Sequence, residues 1–153
     1  MAEEKYLRQY EKSDTGNYLL KSRGTIVNVI AQGADDKTLS QEESGSTVLV
    51  TMTGDSDKTV TLPAAKAGLN FRFVVAASPS GTGDLKIASA VADTIVALTS
   101  ADSAADGATN TAADFVIIEA AALGGEVIEF LCDGTSWYAF AHQSAVGSIT
   151  LNG

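Results

Sequence analysis

The sequence predicts an all-β protein, a single antiparallel β-sandwich or barrel of about eight short strands preceded by an extended N-terminal arm. Three observations predict it. Apolar residues make up 45% of the chain but aromatics only 7%, so the core must be assembled mainly from Ala, Val, Ile and Leu, which suit thin packed sheets. From Gly24 onward, β-branched runs alternate with clusters of Gly, Asp, Ser and Asn, the punctuation expected of short strands joined by turns. No segment sustains a convincing long helical period.

The strands follow in order. Thr25-Ile26-Val27-Asn28-Val29-Ile30 is β-branched and ends at the turn cluster Gln32 to Asp36. Ser46 to Thr53 sets Val48, Val50 and Met52 against Thr47, Leu49, Thr51 and Thr53, the alternation of a half-buried strand. Gly54-Asp55-Ser56-Asp57-Lys58 then leads into Thr59-Val60-Thr61-Leu62, so the two runs are expected to form a hairpin. Pro63 ends the second run because it has no N–H for the ladder.

Asn70 to Val75 is the next strand, Leu85-Lys86-Ile87 and Thr94 to Leu98 are shorter ones, and Phe115 to Ala120, Glu126 to Cys132 and Ser136 to Ala141 complete the set. The last two are joined by the turn Asp133-Gly134-Thr135. Ser100 to Asp114, rich in Ala, Ser, Thr and Asp, is read as an exposed loop or insertion. Ala64 to Gly68 carries a helix-favouring alanine run that Gly68 limits to one turn, while Gly124-Gly125 makes a loop of the similar run at Ala120 to Leu123.

With 153 residues the chain fits one domain plus a tail: an arm over residues 1–23 and an all-β body over 24–153. Lys5, Arg8, Lys12, Lys21 and Arg23 against Glu3, Glu4, Glu11 and Asp14 leave the arm at +1, so the net charge of −9 puts −10 on the body. An anionic body repels phosphate backbones, which excludes nucleic acid as a partner. The first ten residues are charged and contain no apolar core of a leader peptide, and no apolar run approaches membrane-spanning length. The chain is therefore expected to be soluble, made in a cytoplasm, and free of membrane association.

Little in the sequence offers chemistry, and the expectation is a protein that is not an enzyme and takes no cofactor. His142 is the single histidine, so one chain cannot build a multi-imidazole metal site, and no nucleophile elbow accompanies it. Cys132 is the single cysteine, set in the apolar run Phe130-Leu131-Cys132 as a buried inert thiol would be. Asp55 and Asp57 have calcium-like spacing, but an EF-hand loop starting at Asp55 needs Gly and Glu where Val60 and Lys66 stand. Turn solvation and local hydrogen bonding account for these two, and for Asp102 and Asp106 before Gly107. Gly81-Thr82-Gly83 lacks the third glycine, the lysine and the following helix of a phosphate cradle, and is a turn.

Two features point to surfaces instead. Trp137 and Tyr138 are strand neighbours and so face opposite ways, one buried and the other exposed or at an interface; core or subunit packing and glycan stacking are both open. The arm carries Tyr6, Leu7, Tyr10, Tyr18, Leu19 and Leu20 without an evident way to bury them alone, and Ser13 to Asn17 is a turn cluster that interrupts any helix. Whether short helix or extended strap, it is expected to pack on this domain, a neighbouring copy or a larger lattice, its basic groups easing its passage over acidic surface; a disordered tail is the alternative.

Two stretches carry a resemblance. Lys58-Thr59-Val60-Thr61-Leu62-Pro63-Ala64-Ala65, continuing to Gly68-Leu69-Asn70-Phe71-Arg72-Phe73-Val74, resembles an element that recurs in capsid decoration and tail-fibre modules of tailed bacteriophages. Ile128 to Tyr138, with Asp133-Gly134-Thr135-Ser136-Trp137, resembles the hairpin that often closes such modules, although the glycine that often follows the tryptophan is replaced by Ala139-Phe140-Ala141-His142. The resemblance covers under half of the body. It implies a head-stabilising decoration protein on the outer surface of the virion capsid, a homotrimer at three-fold junctions with the major capsid protein and its own copies as partners; a receptor-binding or adhesin module of a tail fibre is the alternative it also allows.

Overall fold

In the computed structural model residues 29–33, 35–90, 94–101 and 109–152 are described. The described chain is all-β apart from a single 3-10 turn, Gln41–Glu43. Its strands are β1 (Val29–Gln32), β2 (Lys37–Thr38), β3 (Thr47–Val50), β4 (Lys58–Thr61), β5 (Asn70–Val75), β6 (Leu85–Ala88), β7 (Thr94–Ala101), β8 (Thr109–Ala113), β9 (Phe115–Ile118), β10 (Val127–Cys132), β11 (Ser136–Gln143) and β12 (Ile149–Asn152). They form a seven-stranded sheet, ordered β1-β3-β5-β10-β11-β7-β8, and a five-stranded sheet, ordered β12-β9-β6-β4-β2. The expected sandwich is present, but its sheets are mixed rather than antiparallel.

The reason lies in how the first half is wound. From β1 to β6 the chain passes from one sheet to the other at every strand, so β1, β3 and β5 run parallel in the larger sheet and β2, β4 and β6 run parallel in the smaller. The result is three successive coils of a flattened spiral. The expected hairpin between the runs at 46–53 and 59–62 is therefore absent, since β3 and β4 belong to different sheets. Both arrangements give the same alternation along each strand. In the crossing, Val48 and Val50 from the larger sheet and Val60 and Leu62 from the smaller side all enter the same core with no exposed surface. Leu62 still donates its N–H to the Ala88 carbonyl at 2.8 Å, and Pro63 stops the ladder one residue later.

The second half closes the sandwich with antiparallel pairs. β10 pairs antiparallel to β5 and forms the anticipated hairpin with β11. Its turn is fixed by Asp133 Oδ1, which accepts from the N–H groups of Thr135 and Ser136 at 2.8 Å each, and by Gly134 at φ +108°. β9 and β12 extend the smaller sheet beside β6. The span read as a loop from Ser100 to Asp114 is in part sheet: its first residues end β7, and residues 109–113 form β8 antiparallel to β7. Backbone pairing and the burial of Ala113 outweigh the weak strand preference of Thr, Asn and Ala there. Ala64 to Gly68 forms no helix.

Between the sheets lies one apolar core, centred on Phe71, Phe73, Phe130 and Trp137. Phe73 and Phe130 meet edge to face with centroids 5.6 Å apart, and Trp137 stands 6.0 Å from Phe71 and 6.4 Å from Phe130. Cys132 is buried and free, as its apolar setting implied.

At one corner of the spiral an aspartate precedes each strand of the smaller sheet's parallel part. Asp36 Oδ1 accepts from Thr59 N–H at 2.8 Å, Asp57 Oδ1 from Asp84 N–H at 3.2 Å, and Asp84 Oδ1 from Ala120 N–H at 2.8 Å. Asp55 Oδ1 adds the Thr82 N–H at 3.1 Å, and Lys86 Nζ bridges to Asp57 Oδ2 at 2.8 Å. Each carboxylate thus serves the next layer rather than its own turn. The hydrogen bonding anticipated for Asp55 and Asp57 exists but joins residues 27 apart. Gly81 and Gly83 belong to the same stack: a Cβ on Gly81 would stand 1.9 Å from the Gly54 carbonyl oxygen, and one on Gly83 would stand 2.5 Å from that of Ser56.

Candidate functional site: the outer face of the larger sheet

Side chains alternate across a strand, so residues not used in the core define the outer face. The register of the larger sheet aligns Thr47, Arg72, Glu129, Phe140 and Leu98 in one row, and Asn70, Leu131, Tyr138 and Val96 in the next. An outward row on a solvated sheet is normally polar. Here the two central strands and their neighbour present Leu131 (51% exposed), Phe140 (46%) and Leu98 (42%) together. Phe140 and Leu98 are direct register partners, and Leu131 is diagonal to Phe140.

A groove of about 410 Å³ leads to this patch from the β1 side of the sheet, passing Gly45, Thr47, Asn70, Arg72, Glu129 and Leu131 to reach Phe140. Its charges are balanced, with Arg72 Nε 3.8 Å from Glu129 Oε1 and both side chains more than half exposed, so the pair contributes little to stability. Beyond Leu131, the Tyr138 hydroxyl donates to Asp133 Oδ2 at 3.0 Å. The backbone N–H groups of Ser136 and Thr135 hold the Asp133 carboxyl below the usual range, and the hydrogen bond to Asp133 raises the Tyr138 phenol above its own.

Of the sequence-derived candidates, Trp137 is wholly buried and Tyr138 half-buried on the outer face, the split that strand alternation required. Trp137 Nε1 is buried without a hydrogen-bond partner. Tyr6, Leu7, Tyr10, Tyr18, Leu19 and Leu20 lie outside the described residues, as do Asp102 and Asp106. His142 is exposed near the end of β11, and among the described residues no three His, Cys, Asp or Glu side chains come together as metal ligands do. No helix among the described residues is long and apolar enough to cross a membrane.

The sequence reading passed over the patch itself. Its signal was present: Phe130-Leu131-Cys132 and Ala139-Phe140-Ala141 put a large apolar group at the outward position between two inward ones. Glu126 was passed over as well. Buried beside β10, it accepts at Oε1 from Ser144 N–H (2.9 Å), Ser144 Oγ (2.7 Å) and Ser148 Oγ (2.8 Å), and so ties down the loop between β11 and β12.

Neither protein-family models nor curated proteins match the chain.

Proposed function

We propose that the protein is a structural virion component that coats the outside of a tailed-phage capsid and stabilises the shell, as a homotrimer at three-fold junctions, working by covering surface rather than by chemistry. The observation that carries the proposal is the Leu98, Leu131 and Phe140 patch at the centre of the larger sheet, since large outward apolar groups clustered at a groove mark a face that is covered in the working assembly. The acidic body, the apolar groups of the arm and the resemblance of Lys58 to Val74 and Ile128 to Tyr138 to phage modules support the same reading. A tail-fibre adhesin is the weaker alternative, because Trp137, one of the two aromatics that favoured sugar stacking, has no exposed surface.

The test has two parts. Light scattering on the isolated protein is expected to give three times the chain mass of 15.7 kDa. Co-sedimentation with purified expanded shells is expected to take up the full chain and to lose uptake when residues 1–23 are removed. A monomer that ignores shells refutes the proposal, and undiminished uptake without residues 1–23 refutes the anchoring role of the arm.

A further inference from the structure

We propose that the patch of Leu98, Leu131 and Phe140 on one protomer is covered by a second copy of this chain, which brings to it a different surface, Leu123 and Val146 at the end of its own sandwich. Copies joined in this way close into a head-to-tail ring. The inference deepens the proposed function and rests on it for the number three alone.

The unlike surface comes from the distribution of exposed apolar groups. Among the described residues the large ones are Leu98, Leu131 and Phe140 in the patch, and Leu123 and Val146 outside it. Leu123 lies in the loop that leads into β10 and Val146, 59% exposed, in the loop that leaves β11, so both stand at the same end of the larger sheet. The two loops are joined through Glu126. Its N–H donates to the Leu123 carbonyl at 3.3 Å, and its Oε1 holds Ser144 and Ser148 on either side of Val146. Gln143 Oε1 adds the Ile149 N–H at 2.8 Å. Burying a carboxylate is costly unless its bonds are made, and here those bonds fix a surface loop whose one large side chain is an exposed valine.

Charge selects a copy of the chain as the occupant. A body of −10 repels its like, so copies meet most readily where acidic groups are absent or balanced. Ala120 to Gly125 and Ser144 to Ser148 contain no Asp, Glu, Lys or Arg. β5, β7, β10 and β11 carry Arg72 and Glu129 as their only such residues, and these two lie 3.8 Å apart. Both surfaces thus have the apolar, charge-depleted centre of a subunit contact. Pairing unlike surfaces is also what a closed three-fold ring needs, whereas patch on patch gives a two-fold dimer and stops there.

The test uses the full chain without shells, with buried Cys132 left in place. Light scattering is expected to show Leu123→Asp combined with Val146→Asp falling from three chain masses to one, as Leu131→Asp combined with Phe140→Asp does, each with the circular dichroism of the parent. Ser replaces Asp in any pair that does not fold. Chains bearing Phe140→Cys and Val146→Cys, co-expressed and treated with a short bis-maleimide, are expected to yield a covalent dimer of one chain each, and neither chain alone should cross-link. A monomeric parent overturns the inference, as does a trimer that survives the loss of Leu123 and Val146, or cross-linking of Phe140→Cys to itself. So does the absence of a mixed cross-link from both this pair and Leu131→Cys with Leu123→Cys. A trimer built through other surfaces leaves the virion reading standing, and shells that take up no protein refute that reading while the ring remains.

Discussion

Replacing Gly81 with alanine tests the winding of the spiral at its tightest point. The added Cβ would stand 1.9 Å from the Gly54 carbonyl oxygen, 2.4 Å from its carbonyl carbon and 2.9 Å from its Cα. Ordinary contact begins near 3.4 Å, and every obstructing atom is backbone, so no side chain can swing aside. The two coils must separate by about 1.5 Å, which breaks the Gly83 N–H bond to Gly54 and the Thr82 N–H bond to Asp55 at about 1 kcal/mol each. Overpacking strain adds about 2 kcal/mol. The total, about 4 kcal/mol, corresponds to a midpoint roughly 2 M lower in urea at an unchanged slope of about 2 kcal/mol/M. Gly33→Ala is the control: a Cβ there meets nothing within 4 Å, and its midpoint should stay within about 0.5 kcal/mol of the parent. A Gly81→Ala protein within about 1 kcal/mol of the parent would refute the stacking of the 54–57 and 81–84 loops, and with it the parallel pairing of β4 with β6.

Glu126→Ala removes the acceptor of three donors in a buried setting and should cost about 3 kcal/mol in the same urea assay, with faster amide exchange at Ser144; Glu126→Gln keeps the accepting oxygen and should lose less than half as much. The hydrogen bond from Lys86 and that from the Asp84 backbone lower the Asp57 carboxyl, and Asp133 is lowered by Ser136 and Thr135. A depressed carboxylate stabilises the fold above its unfolded value near 3.8 and loses that contribution as pH falls through the folded value, so an Asp57→Asn, Asp133→Asn double variant should show a flatter decline in melting temperature below about pH 4 than the parent. At the alkaline end the signs reverse. Tyr138 and Lys86 are raised above 10.0 and 10.5 by Asp133 and Asp57, so what they contribute is intact below those values and is lost as pH climbs through the folded ones. Phenolate absorbance should find Tyr138 ionising above the ordinary phenol value of 10.0, and Asp133→Asn should bring it down toward that value.

Strand identity was legible where one physical pattern dominated. The alternation of Val48, Val50 and Met52 identified the inward face of β3, and the Asp133-Gly134 turn fixed the hairpin of β10 and β11, because both depend on neighbours in the chain. Sheet membership was not legible. A strand that folds back and one that crosses to the opposite layer bury the same alternate residues, and what separates them is the contact of Gly81 with Gly54 and of Asp57 with the Asp84 backbone, partners 27 residues away. Side chains from Ser100 to Asp114 suggested a loop because β8 is held by backbone pairing to β7, which composition does not record. The patch was half legible. Leu131 and Phe140 broke the alternation in their own strands, but that Leu98 joins them follows only from the parallel register of β7 with β11.

The place of β1 at the rim of the larger sheet has a mechanical consequence. Among the described residues its backbone bonds are to one neighbour, β3, and its direction is that of β3 and β5. Tension drawn along the strand axis through the preceding residues would load all the β1–β3 bonds in shear at once, whereas tension across the sheet would peel them in sequence. The direction of pull at β1 would therefore decide how long that edge holds under load.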